Sequence, residues 1–359
     1  MNFYREMKAA RESVADLSEM SREKPSSGQA VYHFLTRAAA SARLVFEEKE
    51  IITFALLQWA CIAAGYYLWV QVIDWIPPEV WERADKSKDV GGADVVMILW
   101  SFICVGLTAF PLGLLTGCMG AAHFLRRQRK ESTIAGCLKM VVPRAWPLWM
   151  FHWIDGWWTM LQIVERLPSK NNDTTPAERA LSEAMYYAWK VATIAITPAL
   201  ITGRGLGDAA RGSVGLVRER FWDVAILRGG YSALCWLVGI ATYVGTIFFF
   251  IKFPTLVGFG HGAAVGVWIY EFYFWAGVPI LVSVGVIMLF LRPIYILSAC
   301  ELYADYVKGK NENLMLPEPP VNAGTGAWVI ATLLAGFVLG VVIFMALQAK
   351  LGLPDWIFR

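Results

Sequence analysis

Residues Val95–Leu125 read VVMILWSFICVGLTAFPLGLLTGCMGAAHFL, and the next five are Arg126, Arg127, Gln128, Arg129 and Lys130. The run of 31 residues holds no Asp, Glu, Lys or Arg. At 1.5 Å per helical residue, about 20 apolar residues cross the hydrocarbon of a bilayer. A helix on the surface of a soluble domain carries a polar face, and this stretch has none. It therefore reads as a transmembrane helix closed by a basic cluster. That reading sets the fold class: an all-α, polytopic membrane helical bundle. The run is longer than a perpendicular crossing needs and has Pro111 inside it, so a tilt or kink is expected.

Working outward, six more spans are expected near 51–73, 145–164, 176–201, 229–251, 263–291 and 326–347. The third in chain order, 145–164, is interrupted only by Asp155, and the apolar part of the fourth only by Lys190. Thr175, Pro176, Ala177 and Glu178 form a capping box with proline at the first helical position, which places the start of the fourth helix. Composition agrees with the class. The chain of 359 residues is 57% hydrophobic and 17% charged, with mean hydropathy +0.48, against about 45–50% and about 25% in soluble domains. A net charge of +3 gives no basic field, so no nucleic-acid partner is expected. The first 50 residues lack an early apolar core, and no signal peptide is expected.

Lys and Arg set the orientation. With the N-terminus inside, 22 of the 32 basic residues fall in inner segments and 9 in outer ones. The positive-inside rule then gives N-in and C-out. Residues 1–50 form a cytoplasmic tail. Phe3, Met7, Val14 and Leu17, and then Val31, Leu35 and Ala38, recur at helical spacing around a break at Ser26, Ser27 and Gly28. Two amphipathic helices under the bundle are expected, with a partner-binding tail as the alternative. Residues 51–359 form the bundle.

Residues Ile134–Trp146 and Ala210–Trp222 repeat at an offset of 76, pairing Gly136 with Gly212, Cys137 with Ser213, Arg144 with Arg220 and Trp146 with Trp222. Both read as amphipathic elbows at the inner interface. Arg144 and Arg220 would face anionic lipid headgroups, and Trp146 and Trp222 would lie at the boundary. The stretch Thr197–Ile201 through Gly205, Ala209, Ala210, Ser213, Val217 and Trp222 resembles poorly characterised prokaryotic multi-pass inner-membrane families. These include the membrane domains fused to some glycerophosphodiester phosphodiesterases. Ala42–Phe46 before Glu50–Ile52, and Gly117–Leu125 with its basic tail, are similar to the same families. The resemblance implies a helical bundle of the prokaryotic cytoplasmic membrane and supplies no catalytic residues. The span at 326–347 is additional to its six-span pattern.

Asp155 lies midway along its span, where an acidic side chain costs about 3 kcal/mol or more unless paired. His152 shares its helix face, and Lys190 enters from the next span. A buried pair of Asp155 with Lys190 or His152 is one reading, and a proton or ion relay is the other. Glu271 lies within the aromatic run Trp268–Trp275, either in an outer aromatic belt or two turns inside a helix. Trp146, Trp149, Trp153 and Trp157 form one stripe, an interface or a platform for a bound group. Gly258, Gly262 and Gly266, with Gly336 and Gly340, repeat every four residues and suit close helix packing, within the chain or between copies. Of the four histidines, only His123 and His152 lie where they would approach each other, and hydrogen bonding within the bundle is expected for them. The six cysteines have no metal-ligand spacing and read as packing residues.

With no catalytic set, no cofactor and no metal expected, the sequence points to a non-enzymatic integral membrane protein. It would act as a subunit or organising component, with membrane lipid, other membrane proteins or a second copy as its partner. The alternative is a transporter or channel for a small solute, ion or lipid that uses Asp155 and Lys190. A membrane enzyme acting on a lipid headgroup, with Arg144, Arg220 and Asp223 as its polar residues, stands third.

Overall fold

The computed structural model describes residues 27–75, 92–166, 176–253 and 278–310, with Thr332 and Gly336 alone beyond them. The fold is all-α: 92% of the described residues are helical, with none in a strand. In order the helices are α1 (Ser27–Glu47), α2 (Lys49–Trp75), α3 (Gly92–Arg127), α4 (Ile134–Val141) and α5 (Ala145–Arg166). Next come α6 (Pro176–Ala192), α7 (Ile196–Ile201), α8 (Leu206–Glu219) and α9 (Phe221–Lys252). Last is α10, Val278–Gly309. Among the described residues five stretches are long and apolar enough to cross a membrane: Lys49–Trp69, Val95–Arg127, Ala177–Ile201, Phe221–Lys252 and Val278–Gly309. The chain is a membrane protein.

The expected span at 145–164 is a single helix of 22 residues, α5, about 33 Å long. It has the length of a crossing and is not among the five apolar enough. The expected span at 326–347, the first part of that at 263–291, the tail before Ser27, Glu271 and the Gly258–Gly266 series lie outside the described residues.

The described residues form two compact units, 57–214 and, separately, 27–56 with 215–310. In the first, α3 is the hub. It continues through Pro111 without a break. The half from Pro111 to Leu125 is buried except for Leu112 and His123. α5 lies close along it because α3 offers small residues: a Cβ on Gly113 would stand 2.9 Å from the Leu148 carbonyl oxygen, and one on Gly106 would stand 2.8 Å from the Trp153 ring. On its other side, buried Gln58 of α2 donates to the Leu112 carbonyl at 3.1 Å and to the Thr116 hydroxyl at 2.7 Å.

In the second unit the part of α10 from Pro293 to Val307 is the buried element. α9 runs antiparallel to it, marked by Ser283 donating to the Gly239 carbonyl at 3.1 Å and by the stacked rings of Tyr231 and Tyr295 at 4.4 Å. α1 is also antiparallel to α10, with Ser41 against Ser298 and Phe46 stacked on Phe290. Residues 292–309 belong by sequence to an inner connection, yet they continue the helix with Leu297, Cys300, Tyr303 and Val307 all buried. A helix covered all round has no polar stripe to announce it. A π turn at Ile287–Leu291 precedes this segment, closed by the Arg292 N–H on the Ile287 carbonyl. Pro293 follows it, lacking an N–H and crowding the carbonyl four residues back, and a widened turn relieves both.

Candidate functional site

Asp155 projects from the middle of α5 toward α6. Lys190 donates to both of its carboxylate oxygens at 2.6 Å, and Trp189 Nε1 donates to Oδ1 at 3.1 Å. The side chains are 25% and 12% exposed, so each charge is largely withdrawn from its surroundings. The Lys190 ammonium also lies 5.3 Å from the centre of the Tyr186 ring, and Trp158 stacks on Trp189. Toward one end of the seam, Tyr186 donates to Thr159 at 3.4 Å and Gln162 to Ser182 at 2.6 Å. These partners recur at three- and four-residue steps on both helices, the spacing of one helix face. His152, one turn from Asp155 the other way, donates from Nδ1 to the Leu148 carbonyl at 2.9 Å. The structure thus brings Lys190 onto Asp155 and gives His152 Nδ1 a backbone partner.

Just past Lys190 the helix breaks. α6 ends at Ala192 and α7 begins at Ile196, and Ser213 of α8 fills the gap. Its hydroxyl donates to the Ala192 carbonyl at 2.6 Å and accepts from the Ala195 N–H at 3.1 Å. Thr193, Ile194 and Ala195 are all buried there. An interrupted helix exposes backbone groups that an apolar setting cannot solvate, so a side chain must serve them. The sequence marked Ser213 only as a small residue on an elbow; its hydroxyl is what the broken helix requires.

The tryptophan stripe is bound to α3. Trp149 Nε1 donates to the Gly106 carbonyl at 2.8 Å and Trp153 Nε1 to the Phe102 carbonyl at 3.2 Å. Their rings stack at 5.0 Å, and Trp157 meets Phe102 edge-on. Here the stripe is a helix interface, with the Trp149 and Trp153 indole N–H groups both satisfied.

Both elbows are largely helical, α4 with a 3-10 turn at Val142–Arg144 and α8. Pro143 sits in that turn and accounts for the interruption. Cys137 and Ser213, paired by the repeat, are both fully buried. Trp146 and Trp222 are exposed by 66% and 50%. Arg144 is half-buried. The Arg220 side chain is only 10% exposed and lies 3.6 Å from Asp223.

Asp223 anchors a cluster that the sequence did not assemble. It is fully buried, with His33 Nδ1 at 3.2 Å, Arg37 at 3.6 Å and Arg220 at 3.6 Å. Arg37 continues to Asp305 at 3.2 Å. His33, Arg37 and Ser41 lie four residues apart and form the buried stripe of α1, while Val31, Tyr32 and Leu35 point outward. The tail helix is amphipathic with its apolar face out. That four-residue polar stripe was the signal for the cluster.

None of the six cysteines forms a disulfide. Among the described residues no three His, Cys, Asp or Glu side chains are placed to hold a metal ion. No family model matches the chain, and no curated protein or solved structure does either.

Proposed function

We propose that the protein is a non-enzymatic subunit or organising component of a prokaryotic cytoplasmic membrane, N-terminus inside and C-terminus outside. It would associate with lipid, with other membrane proteins or with a second copy. The observation that carries this is α9. Only 6% of its most apolar stretch is buried, while Trp236, Leu237, Phe248 and Ile251 are each more than 60% exposed. A helix apolar all round and barely covered by its own chain needs lipid or another membrane helix as its surroundings. Native mass spectrometry of the full chain released from lipid nanodiscs tests the reading. Retained lipid, a second copy or a defined partner is expected. A bare monomer under every release condition contradicts it.

A second reading, a transporter or channel for a small solute or ion, is favoured by a separate observation. The Asp155–Lys190 pair lies beside an interrupted helix, and intramembrane charges and broken helices together mark substrate and ion pathways.

A further inference from the structure

We propose that the seam between α5 and α6 conducts protons, with Asp155 and Lys190 as the exchanging pair; the inference rests on the transport reading and names its substrate. The seam is a file of polar side chains. It runs from Gln162 with Ser182, through Thr159 with Tyr186, to Asp155 with Lys190. Beyond the pair, His152 and Thr193 donate to the Leu148 and Trp189 carbonyls of their own helices, and the Ser213 hydroxyl spans the Ala192 carbonyl and the Ala195 N–H at the break. Packing alone asks for apolar or small residues at such a seam. Four successive turns of α5 instead place a hydrogen-bonding or charged group there. Each polar group carried into an apolar interior costs stability unless paired, so a run of them calls for a use.

The identity of the substrate follows from what occupies the centre. Both Asp155 oxygens are held by the Lys190 ammonium at 2.6 Å. A metal cation would have to displace a tethered cation of the same sign. A proton need not, because it is exchanged by the groups already there. α3, packed along the rest of α5, brings no Asp, Glu, Lys or Arg between Val95 and Leu125, and α7 brings none. Arg144, at the turn before α5, is the nearest basic residue in sequence on that side. Lys190 on α6 and His152 on α5 are therefore the groups that answer a proton on Asp155.

A proton arriving past the Tyr186 and Thr159 hydroxyls neutralises the Asp155 carboxylate and frees the Lys190 ammonium from its partner. Lys190 then gives one proton onward to solvent on the His152 side of the pair. The carboxylic acid returns its proton to the lysine amine. The pair is restored, one proton has moved, and no redox partner is needed.

The test uses the full chain reconstituted in vesicles of phosphatidylethanolamine and phosphatidylglycerol, with a pH-sensitive dye inside and a potassium diffusion potential as the driving force. Acidification several-fold faster than in empty vesicles is expected. Asp155→Asn should abolish it, and Thr159→Val and Tyr186→Phe should each slow it. The last two leave no charge stranded, so they keep the test decisive if Asp155→Asn misfolds. Proton flux unchanged by all three substitutions overturns the proposal. Parallel vesicles carry dyes for sodium and chloride. Flux of either ion without proton flux removes the proton assignment and leaves the transport reading standing. No flux of any of the three removes both.

Discussion

A carboxylate halfway along the largely apolar α5 sets a strong local constraint, because its partner decides whether it can be there at all. Lys190 neutralises Asp155 with two short hydrogen bonds. Losing one partner of such a pair strands a charge, while an amide keeps a hydrogen bond. Asp155→Leu should therefore lower stability by about 2–3 kcal/mol, and Asp155→Asn by clearly less, read as thermal unfolding in a mild detergent. Adding Lys190→Met to Asp155→Leu should recover much of the loss. If Asp155→Leu unfolds like wild type, the pair contributes nothing to the fold. Ser213 gives a second test at this scale. Ser213→Ala leaves the Ala195 N–H and the Ala192 carbonyl without their bridge, at a cost of about 1–3 kcal/mol, measured in the same way.

Between elements, the close approach of α3 and α5 depends on the absence of a side chain. Gly113→Ala would push a methyl group to 2.9 Å from the Leu148 carbonyl oxygen, a backbone atom with little room to yield. A loss of about 1–3 kcal/mol is expected, and unchanged unfolding would show that the two helices separate freely. For α1, Asp223→Leu removes the shared partner of His33, Arg37 and Arg220. The expected result is earlier proteolysis within α1, while the unit formed by residues 57–214 keeps its protease resistance.

These elements also show what the sequence could and could not reveal. The Val95–Leu125 run and α9 were legible because an apolar length is a property of the chain itself. The approach of Lys190 to Asp155 was legible because each was the lone charge in its stretch and depth could be counted along both helices. The His33 cluster was not. Its partners lie 190 and 268 residues apart along the chain for His33–Asp223 and Arg37–Asp305, and no local period encodes such a meeting. α10 beyond Arg292 was hidden for another reason. A segment buried on every side carries Ser, Ala, Cys and Tyr as readily as Leu, so it resembled a connection.

Across the whole molecule, the account turns on whether α5 crosses the membrane. Its 22 residues have the length, yet its polar content keeps it apart from the five more apolar helices. If it crosses, the Asp155–Lys190 pair lies inside the bilayer, and the basic segments around Arg129 and Arg218 lie on one side. Dual reporter fusions, one readable only in the cytoplasm and one only outside it, placed after Lys130, Ser169 and Arg218 measure this directly. The account predicts Lys130 and Arg218 inside and Ser169 outside. A Ser169 fusion reporting from the same side as Lys130 would contradict it, leaving α5 at the surface and Asp155 with no bilayer around it.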